Sequence, residues 1–150
     1  MTESDWWALV KVQLDRWGDS CRIESTTGGG VPDVNYAIDG HHGWIELKVA
    51  KAGKLYFERF QIPWMRRRLR HMDAVWVLAL VDDELRLYHA GDIVHAQCHV
   101  ESNKTKTWTV VEVNGIVATV SGPRPWPWHD VFTILTNRPC SNQRKIILND

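Results

Sequence analysis

Residues 31–50 read VPDVNYAIDGHHGWIELKVA, and two alternating segments flank the Asp39-Gly40 pair at its centre. On the first segment Val34, Tyr36 and Ile38 share a face, and on the second Ile45, Leu47 and Val49 do the same. Asp-Gly between alternating apolar runs is a hairpin signal, because both central positions of a tight type I′ turn need positive φ. With that turn Ile38 faces His41, and counting back sets Asp33 opposite Glu46 with Lys48 two residues further along the same face. A wider loop through His41 and His42 would shift the register by a residue or two, leaving only diagonal proximity.

The surrounding elements follow from periodicity and capping. Thr2 or Ser4 caps a first helix, with Glu3 and Asp5 suited to its first turn, and Trp6, Val10, Leu14 and Trp17 recur at helical spacing until Gly18. Cys21 to Ser25 reads as a short strand, broken by the run Thr26-Thr27-Gly28-Gly29-Gly30. Beyond the hairpin lies a basic loop with Lys51 and Lys54. Phe57, Phe60, Trp64 and Met72 then fall on one face of a helix expected to start around Glu58 to Phe60, since Pro63 must sit in or near its first turn. Ala74 to Val81 is a continuous apolar run fitting a buried strand, Asp82-Asp83 turns, and Leu85 to His89 pairs back. Asn114-Gly115, between Val-rich runs in Trp108 to Val120, predicts a second hairpin. Pro123 to Trp128 reads as a loop and His129 to Leu135 as a short helix.

The chain has 150 residues with 44% hydrophobic content, which suits one domain: a core of about residues 2–90 and a β-rich extension of about 91–150. No apolar run approaches the roughly 20 residues that span a bilayer, and Met1 to Trp7 lack the order of a signal peptide, so a soluble, cytoplasmic protein is expected. Cys21, Cys98 and Cys140 are odd in number and widely spaced, implying neither a disulfide framework nor a cysteine zinc site. His95 and His99 beside Cys98 lack a partner pair at zinc spacing. The formal net charge is zero, which by itself argues against a polyanion partner, but the charges are segregated. From Lys48 to His71 the chain carries Lys48, Lys51, Lys54, Arg59, Arg66, Arg67, Arg68 and Arg70 against one acid, Glu58. Such a strip can neutralise phosphates.

Two carboxylates side by side on adjacent strands supply the hard oxygen ligands that Mg²⁺ or Mn²⁺ prefers, and the Leu47 carbonyl can add a third. An amine at Lys48 on the same face can act on a phosphate and an attacking water. Together they describe a phosphodiester hydrolase.

Gly30-Val31-Pro32-Asp33, then Trp44-Ile45-Glu46-Leu47-Lys48, then Gln61 with Trp64 on a following helix resemble the PD-(D/E)XK nuclease superfamily, and within it the VRR-NUC and phage Holliday-junction-resolvase-like members. The likeness covers about residues 2–90. It implies a restriction-endonuclease-like α/β core: a helix, a three-strand antiparallel meander, a helix, and further strands in a mixed central sheet. It also implies that Asp33 and Glu46 hold the metal, that Lys48 acts at the water, and that Gln61 supports the lysine or the phosphate. Many members add an acid from the first helix or the preceding strand, for which Glu24 is favoured here over Glu3 and Asp5. Lys51, Lys54, Arg59, Arg66, Arg67 and Arg70 are the candidate DNA contacts. The expected function is a Mg²⁺- or Mn²⁺-dependent endonuclease selective for branched DNA, of phage type, acting in a bacterial host as a homodimer. The alternatives are a sequence-specific or nicking endonuclease, and a non-catalytic nucleic-acid-binding module on the same fold.

Overall fold

The computed structural model describes residues 1–23 and 30–136. Helix α1 (Glu3–Trp17) opens with the expected cap: the Thr2 hydroxyl accepts from the Asp5 amide, and the Asp5 carboxylate accepts from the Thr2 amide. Strand β1 (Asp19–Arg22) starts two residues earlier than expected, directly after Gly18, and Glu24, Ser25 and the glycine run through Gly29 lie outside the described residues. Strands β2 (Val34–Ile38) and β3 (His41–Val49) form the predicted hairpin, with Ile38 opposite His41 and Val34 opposite Ile45. Asp39 and Gly40 take φ of 48° and 80°, as the tight turn requires.

Two expectations fail. Phe57 does not lie on a helix: Lys54–Glu58 is a strand, β4, and helix α2 begins only at Gln61 (Gln61–Arg68), with Pro63 in its first turn. The Trp108–Val120 stretch is not a hairpin either. Its strands β8 (Thr107–Glu112) and β9 (Val120–Gly122) belong to different sheets, so the Asn114-Gly115 bend is a crossover between layers. Strand β8 is already flanked by β4 and by β7 (Cys98–Ser102), which leaves β9 to pair with β6 (Glu84–His89).

The main sheet runs β1-β2-β3-β5-β6-β9, where β5 is Val75–Val81, and the second runs β4-β8-β7. Among the described residues only β3 and β5 pair in parallel; the other neighbours are antiparallel. This is the mixed α/β architecture expected. Alternation along β3 decides which side each residue serves. Ile45 and Leu47 pack under α1 and α4 (Trp128–Thr136) with Trp6, Val10, Leu14, Leu78 and Val131. Trp44 faces the opposite layer, built from α2, the short α3 (Ala90–Val94) and the inner side of the second sheet through Leu55, Phe57 and Val111. Strand β5 is buried along its length because it faces both layers, which explains its unbroken apolar run. No helix among the described residues is long and apolar enough to cross a membrane.

Candidate active site

Glu46 and Lys48 are the two buried charged residues of the described chain, 2% and 4% exposed. Both lie on the β3 face turned toward α2 and the second sheet, where burial of unpaired charge would be costly. Their surroundings provide the partners. The Asp33 amide donates to Glu46 Oε1 at 3.2 Å, and Asp33 Oδ2 accepts from the Leu47 amide at 3.1 Å, so the two carboxylates stand side by side as the tight-turn register predicts. Lys48 Nζ lies 3.3 Å from Glu46 Oε2 and donates to Gln61 Oε1 at 3.0 Å. Gln61 Nε2 in turn donates to Glu46 Oε2 at 2.8 Å. The glutamine thus bridges acid and amine.

The missed strand β4 completes the arrangement. Its Glu58 amide donates to Gln61 Oε1 at 2.7 Å, fixing which way the amide group points, and the Phe57 ring lies 4.9 Å from Lys48 Nζ as a cation–π floor. Gly30 closes the other side. It adopts φ of 94°, and a Cβ there would stand 2.0 Å from the Phe60 carbonyl oxygen, so the loop before Asp33 packs directly on the start of α2.

Of the additional acids considered, Asp5 is spent on the helix cap and Glu24 lies outside the described residues. Glu3 reaches the site: its Oε1 is 3.9 Å from Lys48 Nζ. Its carboxyl is raised by partial burial and by the negative charges of Asp33 and Glu58, against the pull of Lys48 and Lys51. Burial pushes the Glu46 carboxyl up to about 8 despite Lys48, with Asp33 and Glu3 adding to the rise.

Among the described residues no three His, Cys, Asp or Glu side chains converge as a metal-holding cluster. The donor set nonetheless fits a hard divalent ion that keeps several waters: two adjacent carboxylates, one of them with its ionisation opposed by burial and by the charge of Asp33. In a strand the N–H and C=O of one residue point the same way, so the Leu47 carbonyl shares the edge where its amide meets Asp33.

The basic residues divide by position. Lys51 and Lys54 bracket a tight two-residue turn just past Lys48, with reciprocal backbone bonds of 3.0 and 3.1 Å, and Lys54 begins β4 rather than lying in a loop. Arg59 sits over the exposed Phe60 ring before α2. Arg66, Arg67 and Arg70 are exposed along and just beyond the end of α2, while Arg68 stacks over Trp64 at 4.7 Å.

No family model and no curated protein matches the chain. Among solved structures, a Holliday junction resolvase from the archaeal hyperthermophile Archaeoglobus fulgidus superposes with a TM-score of 0.50 at 14% identity, covering 78% of this chain and 91% of that one. The two folds are similar. A bacterial homing endonuclease, at a TM-score of 0.42 and 12% identity over 94% of this chain and 91% of its own, is too distant to establish a shared fold.

Proposed function

We propose that the chain is a Mg²⁺- or Mn²⁺-dependent endodeoxyribonuclease that hydrolyses phosphodiester bonds in branched DNA, a Holliday junction or a flap. The observation that carries this reading is the Asp33–Glu46–Lys48 group, whose last two members are buried and bridged by Gln61. Structural ion pairs are seldom built this way, because a second carboxylate beside a buried one raises the cost of ionising both.

In this mechanism Asp33, Glu46 and the Leu47 carbonyl hold the metal, with Glu3 or Glu24 as the further acid. The ion supplies Lewis acidity at the scissile phosphate and lowers the pKa of the attacking water. Lys48 donates hydrogen bonds to that water and to a phosphate oxygen, stabilising charge that grows in the transition state. Gln61 and the Phe57 ring hold the amine in place. Lys51, Lys54, Arg59, Arg66, Arg67 and Arg70 neutralise flanking phosphates. The branched-DNA preference draws on the likeness in fold to a resolvase, and a homodimer follows from it, since paired cuts across a junction need two sites related by a two-fold axis.

The test is a cleavage panel of duplex, single-strand, flap and four-way DNA with Mg²⁺ or Mn²⁺. Metal-dependent cutting that favours flap or four-way DNA is expected. Tight binding without cleavage under either metal would convert the reading to a binding module on this fold.

A further inference from the structure

The extension beyond Ala90 has no part in the chemistry above, yet it borders the site. The tip of the β7–β8 hairpin, residues 103–106, faces the corner between β4 and α2 across an open groove of about 480 Å³ lined by Glu58, Arg59, Phe60, Asn103, Lys104 and Lys106, among others. This groove begins one residue from Gln61.

Its chemistry is cationic and aromatic. The one acid, Glu58, is offset by Lys106, whose Nζ lies 3.1 Å from its carboxylate. Arg59 and Lys104 have no acidic partner among the described residues and leave a local surplus of positive charge. Phe60 is 51% exposed, a large apolar ring beside a basic groove with the Arg59 guanidinium 5.1 Å over one face. The tip is pre-shaped: Asn103 Oδ1 accepts from the amides of Thr105 and Lys106 at 2.9 and 2.8 Å, which holds Lys104 outward on a fixed bend. An extended phosphate chain with unstacked bases needs these features, cations for its backbone and a ring face for a base. A blunt duplex, whose bases are already stacked, has no use for the ring.

We infer that the groove between the β7–β8 hairpin tip and the Arg59-Phe60 corner binds an unpaired DNA strand, with a base on Phe60 and phosphates on Arg59 and Lys104. The inference rests on the nuclease reading for its substrate, and it gives that reading a physical source of structure selectivity. The strand leaving a branch point would occupy the groove while the adjoining phosphate lies at Lys48.

The experiment measures binding alone, with Ca²⁺ in place of Mg²⁺. Fluorescence anisotropy would follow a labelled oligothymidylate of about twelve nucleotides and, separately, a blunt duplex. Phe60→Ala and Lys104→Ala, both at exposed positions, should each weaken oligothymidylate binding by about five- to tenfold, while duplex affinity changes less than about twofold. Phe60→Trp should retain wild-type affinity. The inference is overturned if the wild type fails to bind the oligothymidylate, if Phe60→Ala binds it unchanged, or if both variants lose strand and duplex affinity equally. Because no cleavage is read, failure here leaves the catalytic reading to the cleavage panel, and an inactive protein that still shows the strand effect would keep the groove and lose the nuclease.

Discussion

Lys48 is held by three unlike neighbours, the Glu46 carboxylate, the Gln61 amide oxygen and the Phe57 ring, and a buried amine so constrained is pre-set for one task. Replacing Lys48 with Ala should lower the cleavage rate by at least about a hundredfold, with the far-ultraviolet circular dichroism unchanged. A variant that still cuts at the wild-type rate would remove this amine from the mechanism. Glu46 gives a second residue-scale consequence in the metal-free protein. Its carboxyl is raised from the ordinary 4.5 to about 8, so the folded chain keeps a proton that the unfolded chain has already lost. The stabilisation is therefore full below 4.5 and is lost as the pH rises through about 8. In the presence of a chelator the melting temperature should fall between about pH 5 and pH 9, and Glu46→Gln should remove most of that slope. A wild-type curve that rises over this window would show that Glu46 is not buried as a neutral acid.

Secondary elements were legible where the signal was local. The Asp39-Gly40 turn and the alternation on either side fixed the β2–β3 register, and with it the meeting of Asp33, Glu46 and Lys48. Strand β4 was illegible because its partner, β8, lies far along the chain, while Phe57, Phe60 and Trp64 happen to fall three and four residues apart as helix positions do. Asn114-Gly115 misled for the complementary reason: the dipeptide specifies a bend, and the sheets to which its arms belong are a tertiary matter. The approach of Glu3 to Lys48 was illegible because it depends on where α1 docks, and the bond from Trp6 Nε1 to the Leu78 carbonyl that seats the helix is a tertiary contact. At this scale the close approach of Gly30 to α2 is testable. Gly30→Ala forces φ of 94° on a β-carbon and pushes on the Phe60 carbonyl, so it should reduce cleavage at least about tenfold by displacing Gln61. The melting temperature should drop as well, since both the strained φ and the backbone overlap destabilise the fold, and undiminished activity would show that this contact does not position the glutamine.

Across the whole molecule, formal neutrality conceals an uneven surface. Acids offset several cations, as in Lys11–Asp15, Arg86–Glu84, Lys106–Glu58 and Arg124–Asp83, whereas Arg66, Arg67 and Arg70 have no ion-pair partner among the described residues. A polyanion meeting that end of α2 would release counterions without first breaking internal pairs. The double variant Arg67→Ala, Arg70→Ala should therefore reduce the slope of log affinity against log salt by about 2 for duplex DNA, while leaving the fold intact. An unaltered slope would place the duplex elsewhere.

The pairing of β4 with β8 ties the proposed active site to the order in which the polypeptide is made. Leu55 finds its partner only at Val111, so the strand that orients Gln61 stays unmatched while the motif-bearing half is already synthesised. A fragment ending near Ala90 would contain Asp33, Glu46, Lys48 and Gln61 and still lack the support that aligns them. In the proposed mechanism competence therefore arrives late, when the last strands dock, rather than with the residues assigned to the reaction.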